Sequence, residues 1–177
     1  MKKRIICGSA AILLTGLTAA MFSLAASQTR EAAIRPAADH PGSGAVIDTV
    51  VVERGRYLAR TAGCNDCHTP GYAGSNGTVA EKDWLIGDSI GWQGPWGTTY
   101  PINLRLFVQN LTAEQWLLVA RQPARPPMPW FALRDMTDQD LLALYHYIRT
   151  LGPAGQQAPA WVPPGKASAT PVVKFPG

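Results

Sequence analysis

Cys64 and Cys67 are separated by two residues and followed at once by a histidine, in the run Cys64-Asn65-Asp66-Cys67-His68. On one turn of helix, thiols at this spacing project to the same side. There they can form thioethers with the two vinyl groups of a single porphyrin, while the imidazole that follows reaches the iron from the proximal face. C-x-x-C-H is the attachment pattern of haem c. Other chemistries fit less well. A structural zinc site needs four ligands, and with three Cys and three His in the whole chain only these three residues cluster. A thioredoxin-like dithiol would want a βαβ setting, which the pattern does not show. A plain Cys64–Cys67 disulfide would leave His68 without a role.

An electron-carrying haem iron needs a second axial ligand, and Met128, Met136, His40 and His146 are the candidates. Met128 stands in Arg125-Pro126-Pro127-Met128-Pro129-Trp130, where prolines fix φ and hold the residues before them in extended conformations. Such a rigid strand would present the thioether at little further entropy cost. Met136 has another use as a helix staple, His146 falls on the polar side of a helix, and His40 lies in a linker. Met128 is therefore the expected ligand, against the alternative of a buried methionine that only packs. Were it not to bind, the iron would keep an open site suited to a haem enzyme or gas sensor.

The elements that must position these residues are helices. Ile47, Val51, Gly55, Leu58 and Ala62 fall on one helical face leading into Gly63 and Cys64. Gly55, in the middle of that face, is expected to let another helix approach closely. Thr112 with Gln115 forms a capping box, and Leu111 can staple to Trp116, so a helix is expected from about Ala113 to Arg121. Thr137 with Asp140 repeats the device, with Met136 and Leu141 as the staple. The helix that follows carries Leu141, Leu144, Tyr145, Ile148 and Leu151 on one face and ends at Gly152-Pro153. Residues 71–97 are too rich in glycine for a long regular element. Trp84, Trp92, Trp96 and Tyr100 crowd the region expected to cover the haem, where Trp92, Trp96 and Tyr100 could donate hydrogen bonds to the propionates or simply pack.

The chain of 177 residues is long enough for one domain with a real core. Met1 to Arg4 is basic, Ile5 to Phe22 is almost wholly apolar, and Ser23 to Ser27 offers small residues for cleavage, so residues 1–27 read as a secretory signal. The alternative is an uncleaved anchor, because about 18 apolar residues can just span a bilayer; a membrane association is expected only in that case. Cys7 lies within this leader and is assigned no chemistry. The leader holds Lys2, Lys3 and Arg4 and no acid, which leaves thirteen basic and twelve acidic residues and removes any nucleic-acid footprint. Residues 28–46 read as a linker, residues 47–152 as the haem domain, and the proline-rich residues 153–177 as an extended tail. Export is expected to place the protein in the periplasm.

Gly55-Arg56-Tyr57-Leu58-Ala59-Arg60-Thr61-Ala62-Gly63 leading into the haem motif, Met128-Pro129 roughly sixty residues later, and Asp140-Leu141-Leu142-Ala143-Leu144-Tyr145 together resemble class I c-type cytochromes. The resemblance is nearest to the haem domains of periplasmic sugar and alcohol dehydrogenase cytochrome subunits. Gly97-Thr98-Thr99-Tyr100-Pro101-Ile102-Asn103 is similar to the G-T-x-Y-x-x-N stretch of those domains. Covering about Val50 to Gly152, the resemblance implies an all-α, class I cytochrome c-like fold in which the first and last helices cross, with Gly55 and Tyr57 near Tyr145. It implies one covalent haem c for one-electron transfer rather than enzymatic turnover. Implied partners are a dehydrogenase as donor, an oxidase or another cytochrome as acceptor, and the cytochrome c maturation machinery. The chain departs from that group in having a single haem motif and in continuing as Leu104-Arg105-Leu106, where partner contacts of the group are therefore in doubt.

Overall fold

The computed structural model describes residues 48–176. The leader 1–27 with Cys7, the linker 28–46 with His40, and Ile47 lie outside the described residues. Among those described, six helices and a small sheet follow in chain order: α1 Thr49–Thr61, α2 Cys64–His68, β1 Gly91–Gly94, β2 Gly97–Thr99, α3 Leu104–Phe107, α4 Ala113–Ala120, α5 Trp130–Asp135, α6 Asp138–Thr150 and β3 Val172–Lys174.

The helix starts expected from capping residues are present. Asp48 caps α1 by accepting from the Val50 amide at 2.9 Å. Thr112 and Gln115 make the reciprocal capping box of α4. Thr137 caps α6 by accepting from the Asp140 amide at 3.1 Å, but the box there is half formed. Asp140 is shorter than a Glu or Gln at that position, and its carboxylate accepts from Arg54 Nε at 2.9 Å, joining the start of α6 to α1.

The crossing of α1 with α6 organises the core. Gly55 is where they meet: a Cβ there would fall on the Ala143 carbonyl oxygen and within 2.6 Å of Tyr147 Cβ. Leu58, Ala59, Leu141, Leu144 and Ile148 are buried around it. Tyr147, 1% exposed, is the aromatic at the crossing and donates to Glu81 at 2.9 Å. Tyr57, in contrast to the expectation, points to solvent at 56% exposure beneath the Arg54 guanidinium. It follows Gly55 by two positions, about 200° around the helix, and so faces away from α6. Helix α4 joins this pair through Trp116 Nε1, which donates to the Leu141 carbonyl at 2.7 Å, and Tyr145, whose hydroxyl donates to the Leu111 carbonyl at 2.8 Å.

The sheet was not legible beforehand. Strand β1 pairs antiparallel with β2, Trp92 opposite Thr99, and parallel with β3, Gly91 opposite Val172. The tail is docked along the domain: Val162 also bridges to Thr98, with N–O distances of 2.8 and 3.0 Å. Gly97, at φ +94°, makes this possible, because a Cβ there would run into the Val162 carbonyl.

Arg105 explains one departure from the dehydrogenase-associated domains. It is 6% exposed, and its guanidinium donates to the carbonyls of Gly152 at 2.6 Å, Lys82 at 2.7 Å and Leu151. A cation placed on the carbonyls just past the C-terminal end of α6 complements the negative end of the helix dipole.

Two substitutions check this packing. Gly55→Ala is expected to lower stability by about 1–3 kcal/mol through overpacking at the helix crossing, read as a fall in denaturation midpoint. Arg105→Met, which keeps the stem and removes the donors, should cost at least about 2 kcal/mol by leaving buried carbonyls unpaired, in the same measurement.

Candidate haem site

Helix α1 ends at Ala62, and Gly63, at φ +76°, turns the chain into α2. Five residues of helix then carry Cys64, Cys67 and His68. Both thiols are free. Cys64 packs against the hydrophobic core, and burial pushes its thiol up to about 11, with Asp66 adding to the shift. Burial and Asp66 likewise raise Cys67. Beneath the motif, the buried Thr69 hydroxyl donates to Asn65 Oδ1 at 2.8 Å and accepts from the Leu85 amide at 2.8 Å, which fixes α2 against the following loop.

His68 is buried, and its Nδ1 lies 2.8 Å from the Ile102 carbonyl oxygen. A carbonyl only accepts, so Nδ1 carries the proton. Burial lowers the pKa of the imidazole, opposed by this hydrogen bond. A neutral ring protonated at Nδ1 leaves the lone pair on Nε2, the form that ligates a metal. Ile102 is held in turn by its neighbour. Asn103 is 2% exposed; its Oδ1 accepts from the Leu106 amide at 3.0 Å to cap α3, while Nδ2 donates to the carbonyls of Ala154 at 2.8 Å and Gln156 at 3.1 Å.

Cys67 and His68 open onto a cavity of about 980 Å³, at the top of the range for ligand pockets. Met128 lines the same cavity. It does not sit in an extended strand as expected. Arg125 to Met128 form a turn that contains a cis Pro126–Pro127 peptide, and the Met128 amide, the first N–H after two prolines, donates to the Arg125 carbonyl at 3.2 Å. Of the other candidates for a second ligand, Met136 packs against the core and His146 is half-buried on α6; neither lines the cavity.

The aromatic residues sort differently from the expectation. Trp92 and Tyr100 line the cavity. Tyr100 turns its hydroxyl to Ser168 at 2.7 Å and Thr170 at 3.2 Å, so its polar end is engaged by the tail. Trp96 does not line the cavity: its ring packs on Phe175 at 5.6 Å, and its indole N–H donates to the Trp92 carbonyl at 3.2 Å. Trp84 is buried elsewhere, edge-on to Tyr72. Trp116, Trp130 and Trp161 take part in the lining instead. Trp130 lay within reach of sequence reasoning, two residues after Met128; Trp161 did not, because nothing local in the proline-rich tail marks a return to the cavity.

The lining fits a large, mostly apolar group with a polar edge. Among the described residues lining it, Arg125 alone carries a charge. The Thr99 hydroxyl, also on the wall, is buried without a hydrogen-bond partner, and is suited to a carboxylate at that edge. No group of three or more His, Cys, Asp or Glu among the described residues is arranged to hold a metal ion.

Residues 52–152, more than half of the chain, match the cytochrome c family. The chain belongs to that family. Its cytochrome c domain is an electron carrier whose cofactor is covalent haem c, and Cys64, Cys67 and His68 provide the attachment motif. It is 31% identical over 110 residues to a fructose dehydrogenase cytochrome subunit of Gluconobacter japonicus, covering 56% of this chain and 21% of that protein. It is 29% identical over 154 residues to a nicotinate dehydrogenase subunit of Pseudomonas putida, covering 80% of this chain and 12% of that protein. The matches thus span about a fifth and about an eighth of the relatives' lengths. No solved structure matches.

Residues 153–176 lie beyond the matched family region, yet 157–161 form part of the cavity wall of the cytochrome c domain. Asn103→Asp tests how that wall is held. The carboxylate can still cap α3 but cannot donate to Ala154 and Gln156, so stability should fall by about 2 kcal/mol or more. Limited proteolysis should cut the tail between Ala154 and Trp161 faster than in the wild type.

Proposed function

We propose that this chain carries single electrons in the periplasm through one haem c, bonded to Cys64 and Cys67 and ligated by His68 and Met128, between a dehydrogenase donor and a respiratory acceptor such as an oxidase or another cytochrome. The observation that carries this reading is the presence of His68, fixed in its Nδ1-protonated form, and Met128 on the lining of one apolar cavity. When bound, the haem iron takes up one electron and gives it back. The residues do the rest. Cys64 and Cys67 fix the position of the macrocycle, and the Ile102 carbonyl orients His68 and makes it a better donor to the metal. Trp92, Leu104, Phe107, Trp116 and Leu133 exclude water. A dry lining and a thioether ligand both favour the iron state of lower charge and so raise the potential.

Two dehydrogenase subunits among the relatives support a dehydrogenase as the donor. The basic and apolar leader supports export. Trp92, Thr99 and Tyr100 on the cavity lining support packing on the macrocycle by the two rings and a hydrogen bond from the Thr99 hydroxyl to a propionate.

The test is Met128→Ala in the haem-loaded, exported protein. The expected result is a change from low-spin to high-spin ferric absorption together with binding of carbon monoxide by the ferrous form. An unchanged low-spin spectrum would remove Met128 from the iron, and high-spin absorption already in the wild type would favour an open-site haem enzyme or sensor. Pull-down without crosslinking separates a diffusing carrier, which leaves alone, from a standing subunit, which brings a large dehydrogenase chain with it.

A further inference from the structure

The loop that carries Met128 is tied to the rest of the domain by a residue from outside the family match. Arg125 opens the turn that Met128 closes. Its guanidinium lies over the ring of Trp161, 4.4 Å from the centroid, the closest cation–π contact among the described residues. Trp161 is itself anchored: its indole N–H donates to the Trp96 carbonyl at 3.0 Å, and the next residue, Val162, pairs with Thr98 on β2. From the end of β2 the chain runs on through Tyr100 to Ile102, whose carbonyl holds His68. A continuous line of contacts therefore runs from the turn of Met128 to the ring of His68, and the Arg125–Trp161 stack is the link that closes it.

We propose that Trp161 is a positioning residue for the iron's second ligand: stacked under Arg125, it holds the Met128 turn against the cavity, so that the C-terminal tail controls how often the thioether leaves the metal. This rests on the His/Met reading above. The turn has few other restraints. Gln122 to Pro126 are exposed, Pro126 and Pro127 have no N–H, and the backbone bonds at Met128 are its amide to the Arg125 carbonyl at 3.2 Å and the Trp130 amide to its own carbonyl at 2.8 Å. A stack at the surface is worth about 1 kcal/mol at most, which is small against global stability but is about fivefold in the population of a locally open turn.

An external ligand that competes with Met128 reads that population directly, because its apparent affinity scales with the open fraction. The experiment is cyanide titration of the ferric, haem-loaded protein for Trp161→Leu, Trp161→Phe, Arg125→Met and the Trp161→Leu/Arg125→Met double variant, with thermal melts alongside. The expected result is about a fivefold gain in apparent cyanide affinity for Trp161→Leu and for Arg125→Met. The double variant should gain no more than either single change, and Trp161→Phe should keep most of the wild-type behaviour because it retains an aromatic face for the guanidinium. Arg125 is exposed, so Arg125→Met keeps the test open if Trp161→Leu fails to fold. Unchanged cyanide affinity in Arg125→Met, or full additivity in the double variant, would overturn the proposal. Met128→Ala separates the two levels. If it leaves the spectrum unchanged, the ligand assignment itself fails; if it opens the iron while the Arg125 and Trp161 variants do not, only the positioning role fails.

Discussion

The hydrogen bond from His68 Nδ1 to the Ile102 carbonyl sets the geometry of everything around the haem site. It fixes which nitrogen of a buried imidazole carries the proton, and it ties a five-residue helix to a loop 34 residues further on. That loop must hold still for the bond to have a direction, and Asn103 provides this by capping α3 while gripping the backbone of the tail at Ala154 and Gln156. The helix must hold still as well, and Thr69, bonded to Asn65 and Leu85, provides that. The helical core places the motif from behind: α1 crosses α6 at Gly55, and its C-terminal end turns at Gly63 directly into Cys64. Of the two thiols on this short arm, Cys67 faces the cavity and Cys64 packs against the core behind it.

The parts of this arrangement that were legible in the sequence are the local ones. The attachment motif spans five residues and needs no partner to be read. The starts of α4 and α6 are set by side chains three residues apart, and Gly55 stood out as a glycine on an apolar helical face. Where the sequence reading failed, the cause was an interaction with a distant partner. Strand β1 is Gly-Trp-Gln-Gly, with no alternation and two glycines, and exists because β2 and β3 flank it, the latter about eighty residues away. Prolines around Met128 suggested an extended strand; hydrogen bonding from the first free amide made a turn. Trp96, so near the haem motif in sequence, was claimed by Phe175, while Trp161 reached the cavity from the tail. Arg105, noted in the sequence only as a departure from the related domains, is buried and holds the carbonyls of Leu151 and Gly152 just past α6.

Electrostatically the site is quiet. Burial keeps both thiols and the imidazole in their neutral forms, and Arg125 is the one formal charge on the lining among the described residues. Charges elsewhere serve the fold: Arg54 with Asp140 and Arg56 with Glu81 pin the surface of the helix crossing. Such half-exposed pairs contribute little each. A mostly apolar lining with a single formal charge suits a centre whose charge changes by one unit at a time, because few polar groups must reorient with the change.

The parallel pairing of β3 with β1 has a consequence for the order in which the domain is assembled. Helices and the attachment motif involve neighbours in sequence and can form early, whereas Gly91 meets Val172 only after nearly the whole chain is present. The wall at 157–161 is therefore the last to be set. The tail thus closes its flank of the binding chamber last, behind an attachment helix set by local contacts.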